Sequence, residues 1–313
     1  MPEVSTVHID TALTNVSVAY RNTSFVSDLL APPVPVRKQS DRYFVYDADR
    51  ERFRESVDVR APGAEAREVD FKLSSENYFC DDHALAGVIP DEERENADPP
   101  LSPAIDRVEF LTDKIALNKE IELATLIADD SDIPGTTLSG TTRWSDYTNS
   151  DPLTAVEAGR AAVLAAVQEV PNVLVLPYDV YAKVRLHPKV RELAAAADLG
   201  MPGPETLARI FDVERVLVPR AYRNVAKPGQ PPSMQFVWGK HALLAVVPRR
   251  PGLKMLGLAC TFQWTAAPGA LDGRVVEVWR EPRRKADMIR VQRYYDQRLV
   301  APMAAYRWKT AVA

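Results

Sequence analysis

The residues that could do chemistry are few and scattered. Cys80-Asp81-Asp82-His83 is the densest set: a thiol, two carboxylates and an imidazole in one short run. Such a run could bind a metal or present a reactive thiol. A zinc site calls for a second Cys/His pair, and none lies nearby, so the spacing favours a polar turn after a strand. The histidines are His8, His83, His187 and His241, far apart in the chain. His187 precedes Pro188 and reads as a residue that caps or ends a helix. Asp129 and Asp130 pair two carboxylates, as any acidic turn does. Gly200 and Gly203 flank Met201-Pro202, which makes a turn rather than a phosphate cradle. No GxSxG, HExxH, phosphate loop or dinucleotide fingerprint is present. The expectation is no enzyme, with no catalytic, cofactor-binding or metal-binding residue.

The one strong charge asymmetry is basic. Arg280, Arg283, Arg284, Lys285, Arg290, Arg293 and Arg298 crowd one stretch near the C-terminus. Three readings are open. The run could touch nucleic-acid backbone through charge alone. It could pair with acidic segments of a neighbouring copy, such as Asp91 to Asp98, or be a solvated face. The whole chain of 313 residues carries a net charge of -4, which argues against a dedicated nucleic-acid binder. Its 46% hydrophobic and 26% charged residues suit a folded protein of one large or two modest domains. Cys80 and Cys260 can build no disulfide framework and fit a reducing compartment. The N-terminus MPEVSTVHID does not read as a signal peptide, and no apolar run reaches membrane-spanning length.

These residues must be positioned by elements, and one stretch organises the rest: Leu101 to Ala128, LSPAIDRVEFLTDKIALNKEIELATLIA. Ser102 fits an N-cap and Pro103 the first helical position. The helix would be about 40 Å long. Its apolar residues fall on two stripes: Leu101, Ile105, Val108, Leu111 and Ile115, then Phe110, Leu117, Ile121, Ala124 and Ala128. Two apolar faces call for two partners, so this helix reads as a spine bridging separate bodies. Before it, LLAPPVPVRKQ from Leu29 reads as an extended arm lying on something else. Arg42 to Asp47 is a strand-like aromatic run. Val57 and Val59, then Val69, Phe71 and Leu73, alternate with polar residues about a Pro62-Gly63 turn. The alternation predicts a charged projecting hairpin. Asp91 to Asp98 reads as a solvated acidic linker.

After the spine, Trp144 and Tyr147 anchor a loop-rich stretch. Asp151-Pro152 opens a second helix, and NVLVL at Asn172 to Leu176 is the continuous apolar run of a buried strand. Further helices open at Pro177, Pro188 and Pro204. Strands are expected at Val213–Val218, Met234–Val237, His241–Val247, Gly257–Trp264 and Arg274–Arg280. Two more, MIRVQRYYD and PMAAYRWKTAV, fall between Ala286 and Val312. The order is α+β without clean βαβ alternation.

Three segments then carry a resemblance. They are NVLVLPYDVYAKVRLHPKVREL (Asn172 to Leu193), PETLARIFDVERVLVPRAYRNVAKPG (Pro204 to Gly229), and FVWGKHALLAVV (Phe236 to Val247) followed by TFQW (Thr261 to Trp264). Their order and placement after a long helix and a hairpin resemble the tailed-bacteriophage major capsid proteins of the Johnson fold, a fold shared with encapsulin shells. The likeness implies an N-terminal arm over 1–40, an extended loop over 41–90 and a peripheral domain with the spine helix over 91–150. It implies an axial domain over 151–279 and C-terminal strands over 280–313 that return to the peripheral domain. By the same likeness, hexamers and pentamers of the chain would form an icosahedral shell around double-stranded DNA in a virion, assembled in the host cytoplasm. Its partners would be further copies, a separate scaffolding protein, a portal, where needed a cement protein, and packaged DNA contacted without specificity. The alternative is an encapsulin-like compartment enclosing cargo enzymes. Some family members weld the shell with a Lys–Asn isopeptide bond. Lys72 is suitably placed on the hairpin, but no Asn follows Asn224, so no such bond is expected. The chain begins almost at the arm, so a scaffold is expected as a separate protein.

Overall fold

Strand β14 (Ala286–Leu299) runs through the centre of one of two main sheets. The computed structural model describes residues 8–10, 13–14, 17, 24–45, 58–60, 63, 65, 68, 74–97, 101–196, 200–252 and 255–313. One edge of β14 pairs antiparallel with β5 (Asp81–Pro90). Its other edge pairs with β13 (Arg274–Glu281) and then β12 (Ala259–Trp264). The N-terminal segment adds two short edge strands: β1 (His8–Ile9) against β13, and β2 (Pro33–Val36) parallel to β12. The Pro-rich run is extended, as expected, and what it lies on is its own chain, as an edge strand on β12. Thr261 and Thr265 donate to the carbonyls of Pro32 and Val36. Pro33 and Pro35 fall on the alternate positions, where the missing N–H faces away from the sheet and costs nothing.

The second sheet has the order β6 (Gly135–Thr137), β15 (Ala305–Lys309), β11 (Ala242–Ala245), β7 (Val173–Val175), β8 (Arg215–Leu217). All three residues of β7 are fully buried, as its unbroken apolar run predicts. One face carries Leu174, Leu244 and Trp308 against α4 (Pro152–Val167), α5 (Tyr178–Val184) and α7 (Pro204–Ile210). A further helix, α6 (Pro188–Ala196), buries Val190 in the same core. Asp151 caps α4 by accepting from Leu153 and Thr154, and Pro152 follows as predicted. Gly159 of α4 is where the helix meets Trp308; a Cβ there would lie 2.6 Å from the indole. A small hairpin of β9 (Tyr222–Asn224) and β10 (Met234–Phe236) completes this body.

The spine helix, α3 (Pro103–Asp129), joins the two bodies, but by a different device from the expected pair of faces. Phe110 is exposed, and Leu117 and Ile121 are only half-buried. A single face is buried, divided along its length. Val108, Leu111 and Ile115 pack on Ile289, Val291 and Val276 of the first sheet. Leu123 and Ile127 pack among Val173, Val175 and Leu243 of the second. Ser102 does not cap α3 with its side chain; its own N–H donates to Asp106. At the other end the buried Arg307 guanidinium donates to the carbonyls of Ile127, Ala128 and Asp130, satisfying the C-terminal acceptors and pinning α3 to β15.

Sheet membership departs from the expected partition in two places. β12 and β13, expected in the body spanning 151–279, belong to the sheet built on β14. Short antiparallel connections keep them beside it. The two C-terminal strands separate: β14 enters the first sheet, whereas β15 pairs antiparallel with β11 in the second rather than returning to the first.

Candidate assembly surfaces

A hairpin of β3 (Ser40–Val45) and β4 (Ser74–Phe79) leaves the first sheet. Its root is an aromatic cluster in which Phe262 stacks on Tyr78 at 4.5 Å and tilts against Tyr43 at 5.0 Å. The Phe79 N–H donates to Asp296 of β14 at 2.9 Å, fixing the exit direction. Beyond the root, residues 58–60, 63, 65 and 68 are all exposed, Val59 at 85%. Gly63 takes φ +82°, a turn conformation open to glycine. Val57, Pro62, Val69, Phe71, Lys72 and Leu73 lie outside the described residues. Of the strand-like runs read from sequence, 42–45 falls in β3 and Ser74 opens β4, while 46–47 and 69–73 lie outside the described residues.

Behind the hairpin lies a buried joint where the N-terminal segment, the spine and both sheets meet. Glu120 of α3 is completely buried. Its carboxylate accepts from the N–H groups of Val26 at 3.1 Å and Ser27 at 2.7 Å, at the start of the one-turn helix α1 (Ser27–Leu30). It also accepts from the Trp238 indole at 2.6 Å. Burial raises the Glu120 carboxyl, and these donors oppose the rise. Beside it, the buried Lys119 ammonium donates to Asp28 of α1, which also lies 3.6 Å from Arg293 of β14. Burial drives Lys119 down to about 8, Arg293 adds to the effect and Asp28 works against it. For Asp28, burial would raise the carboxyl, but Lys119 and Arg293 bring it to about 2. Periodicity gives no weight to Lys119 and Glu120; adjacent opposite charges on the buried side of the helix are the available signal.

The basic run divides by environment. Arg293 is buried at the joint, Arg290 donates to Glu277 within its sheet, and Arg298 donates to Asp296. Arg280 donates to Asp91 at 2.5 Å and Asp287 at 3.2 Å. The segment expected to be an acidic linker begins with a short helix, α2 (Asp91–Glu95), held against the β13–β14 hairpin by that network. The leading partner of Arg280 is thus in its own chain. Arg283, Arg284 and Lys285 remain exposed at the tip.

The run Cys80 to His83 forms no pocket of ligands. Cys80 is buried, its thiol directed at the Phe262 carbonyl at 3.5 Å, and burial pushes it up to about 12. The His83 ring stacks on Tyr295 at 3.9 Å. Among the described residues no group of three or more His, Cys, Asp or Glu could hold a metal ion. His187 is completely buried, 3.2 Å from the Ser150 hydroxyl and edge-on to Tyr147. It follows α5 and precedes α6, as Pro188 predicts. The His241 ring nitrogen accepts from the Thr310 N–H. Trp144 is buried against Trp308, whereas Tyr147 stays partly exposed.

A projecting hairpin, an edge-strand arm and a long helix bridging two mixed layers define the shell-protein class of the Johnson fold. The comparisons agree. A phage-related protein from Bordetella bronchiseptica RB50 superposes with a TM-score of 0.77, 22% identity and coverage of 97% of each chain. An encapsulin from Synechococcus elongatus PCC 7942 superposes with a TM-score of 0.51 and 12% identity, over 96% of this chain and 94% of its own. No family model matches the chain. In sequence it is 31% identical to the major capsid protein of Pseudomonas phage JBD67 over 239 residues, 75% of each chain. It is 27% identical to that of Burkholderia phage BcepMu over 248 residues, 78% of each. The chain belongs to the bacteriophage major capsid proteins.

Proposed function

We propose that copies of this chain, grouped as hexamers and pentamers, tile a closed icosahedral shell around the double-stranded DNA of a tailed bacteriophage. The observation that carries the reading is the hairpin: β3 and β4 rooted on Phe262, with the described residues between them, 58–60, 63, 65 and 68, all exposed. Two strands alone are marginal in water, so such a projection gains stability by lying on a neighbour. The role is structural, with no reaction to catalyse. The units of assembly follow the arm, the loop, a peripheral body built on β14 and an axial body built on β11. A separate scaffolding protein, a portal and a cement protein fit beside it, and assembly takes place in the host cytoplasm. Packaged DNA is contacted through charge alone.

The fold is shared with encapsulins, which supports a second reading as a compartment around cargo enzymes. One experiment separates the two. Particles are purified from the natural source, treated with nuclease and extracted. Protected double-stranded DNA of genome length supports the phage head; protein cargo without DNA supports the compartment. Failure to find closed particles defeats both.

A further inference from the structure

We propose that the basic turn joining β13 to β14 in one copy docks against the acidic helix α2 of a second copy. The inference rests on the shell-subunit reading and names one contact within it.

Residues Pro282–Arg284 form the turn, Lys285 closes it at φ +46°, and all four are exposed. Helix α2 starts at the same corner: Pro90 pairs with Ala286, and the Asp91 N–H donates to the Lys285 carbonyl at 3.0 Å. Between them lies a closed network. Arg280 bridges Asp91 and Asp287, and Arg94 bridges the same two carboxylates at 3.3 and 2.5 Å. These four side chains spend their charges on one another and lock the helix to the hairpin.

What remains is bipolar. Among the described residues, Arg283 and Arg284 have no ionic partner, nor does Glu92 on α2. Glu93 and Glu95 stay exposed beside Arg107 and Arg94. A basic lobe and an acidic lobe therefore sit side by side on one rigid corner. Within the chain the two lobes form no ion pair with each other, and the basic lobe of one copy fits the acidic lobe of the next. Such a head-to-tail contact repeats from copy to copy and closes where the rotation closes. The acidic helix also decides between partners. A nucleic-acid backbone approaching the turn would meet the carboxylates of α2 alongside it, whereas successive copies satisfy one lobe each, so that both are paired in the ring.

The test is a charge swap in the full chain, with particle formation followed by light scattering and electron microscopy. R283E/R284E reverses the turn and E92R/E95R reverses the helix. Circular dichroism and melting of the unassembled variants check that each still folds; either variant that fails is replaced by R283Q/R284Q or E92Q/E95Q. At about 0.1 M salt, each reversal raises the concentration needed for half-assembly by about tenfold or more, and the four-substitution combination restores it. The difference shrinks at about 1 M salt, where the Debye length is about 3 Å. Wild-type-like assembly of either reversal at low salt overturns the contact. So does failure of the combination to rescue, which points to nucleic acid or another protein at the turn. If the wild-type chain builds no particles under any condition, the shell-subunit reading itself falls, a result distinct from a wild type that assembles and a swap that has no effect.

Discussion

Glu120→Ala tests the buried joint at its centre. The substitution leaves three donors, the N–H groups of Val26 and Ser27 and the Trp238 indole, facing a space from which the acceptor has gone. Each orphaned buried donor costs about 1–3 kcal/mol, offset in part because a charge no longer has to be buried, for a net loss of about 4 kcal/mol. Trp238→Phe removes one donor and leaves the carboxylate two backbone partners, so its loss is smaller, about 1–2 kcal/mol. The assay is urea unfolding of the unassembled chain at neutral pH, read by fluorescence, with timed proteolysis to see whether the N-terminal segment is cut first. Because Glu120 holds the first turn of α1, early cleavage near Val26 accompanies the loss of stability. A Glu120→Ala chain within about 0.5 kcal/mol of wild type, with the same cleavage pattern, would refute the claim that this carboxylate ties the arm to the spine.

Further outcomes follow from individual contacts. Burial lowers the His187 pKa below its usual 6.5, so the unfolded chain binds the proton first; stability from this site is present above about pH 6.5 and declines as pH falls, which His187→Gln flattens in a pH series of melting temperatures. Asp28 is held at about 2 against 3.8 unfolded, so its contribution is present above about pH 4 and fades towards pH 2, seen as faster proteolysis of the arm that Asp28→Asn makes pH-independent. Gly159→Ala drives a methyl into the Trp308 ring and costs about 1–3 kcal/mol in the second body, measured by unfolding of the unassembled chain. Boiled, denatured particles run as a single subunit band, because no Asn follows position 224; covalent ladders on a gel would contradict this.

Much of the secondary structure was legible because its signals are local. Pro103, Pro152, Pro188 and Pro204 each open a helix, where the missing N–H costs nothing, and Asp151 adds the expected side-chain cap to α4; the apolar run at Val173 marks a strand buried on both faces. What escaped depends on contacts distant in sequence. That α3 uses one face for two partners follows from where the sheets sit, not from its periodicity. The pairing of β15 with β11 and β6 rather than with β14 is set by Arg307 on the end of α3 and by the close approach of Gly135 to the Arg307 backbone. The arm's place as an edge strand depends on the N–H groups of Thr261 and Thr265, which donate to its carbonyls. The joint of Lys119, Glu120, Asp28 and Trp238 draws on segments 91 and 118 residues apart. The Cys80 to His83 run shows the converse: neighbours in sequence turn away from one another on a strand.

A major capsid protein is the repeating wall of a virus head. The most direct measurement is the copy number of the chain in purified DNA-filled heads, by quantitative mass spectrometry alongside electron cryomicroscopy. Such heads are expected to hold hundreds of copies each, with density for this fold throughout a closed shell. Heads that lack the chain, or contain only a handful of copies with a different protein forming the wall, would contradict that expectation.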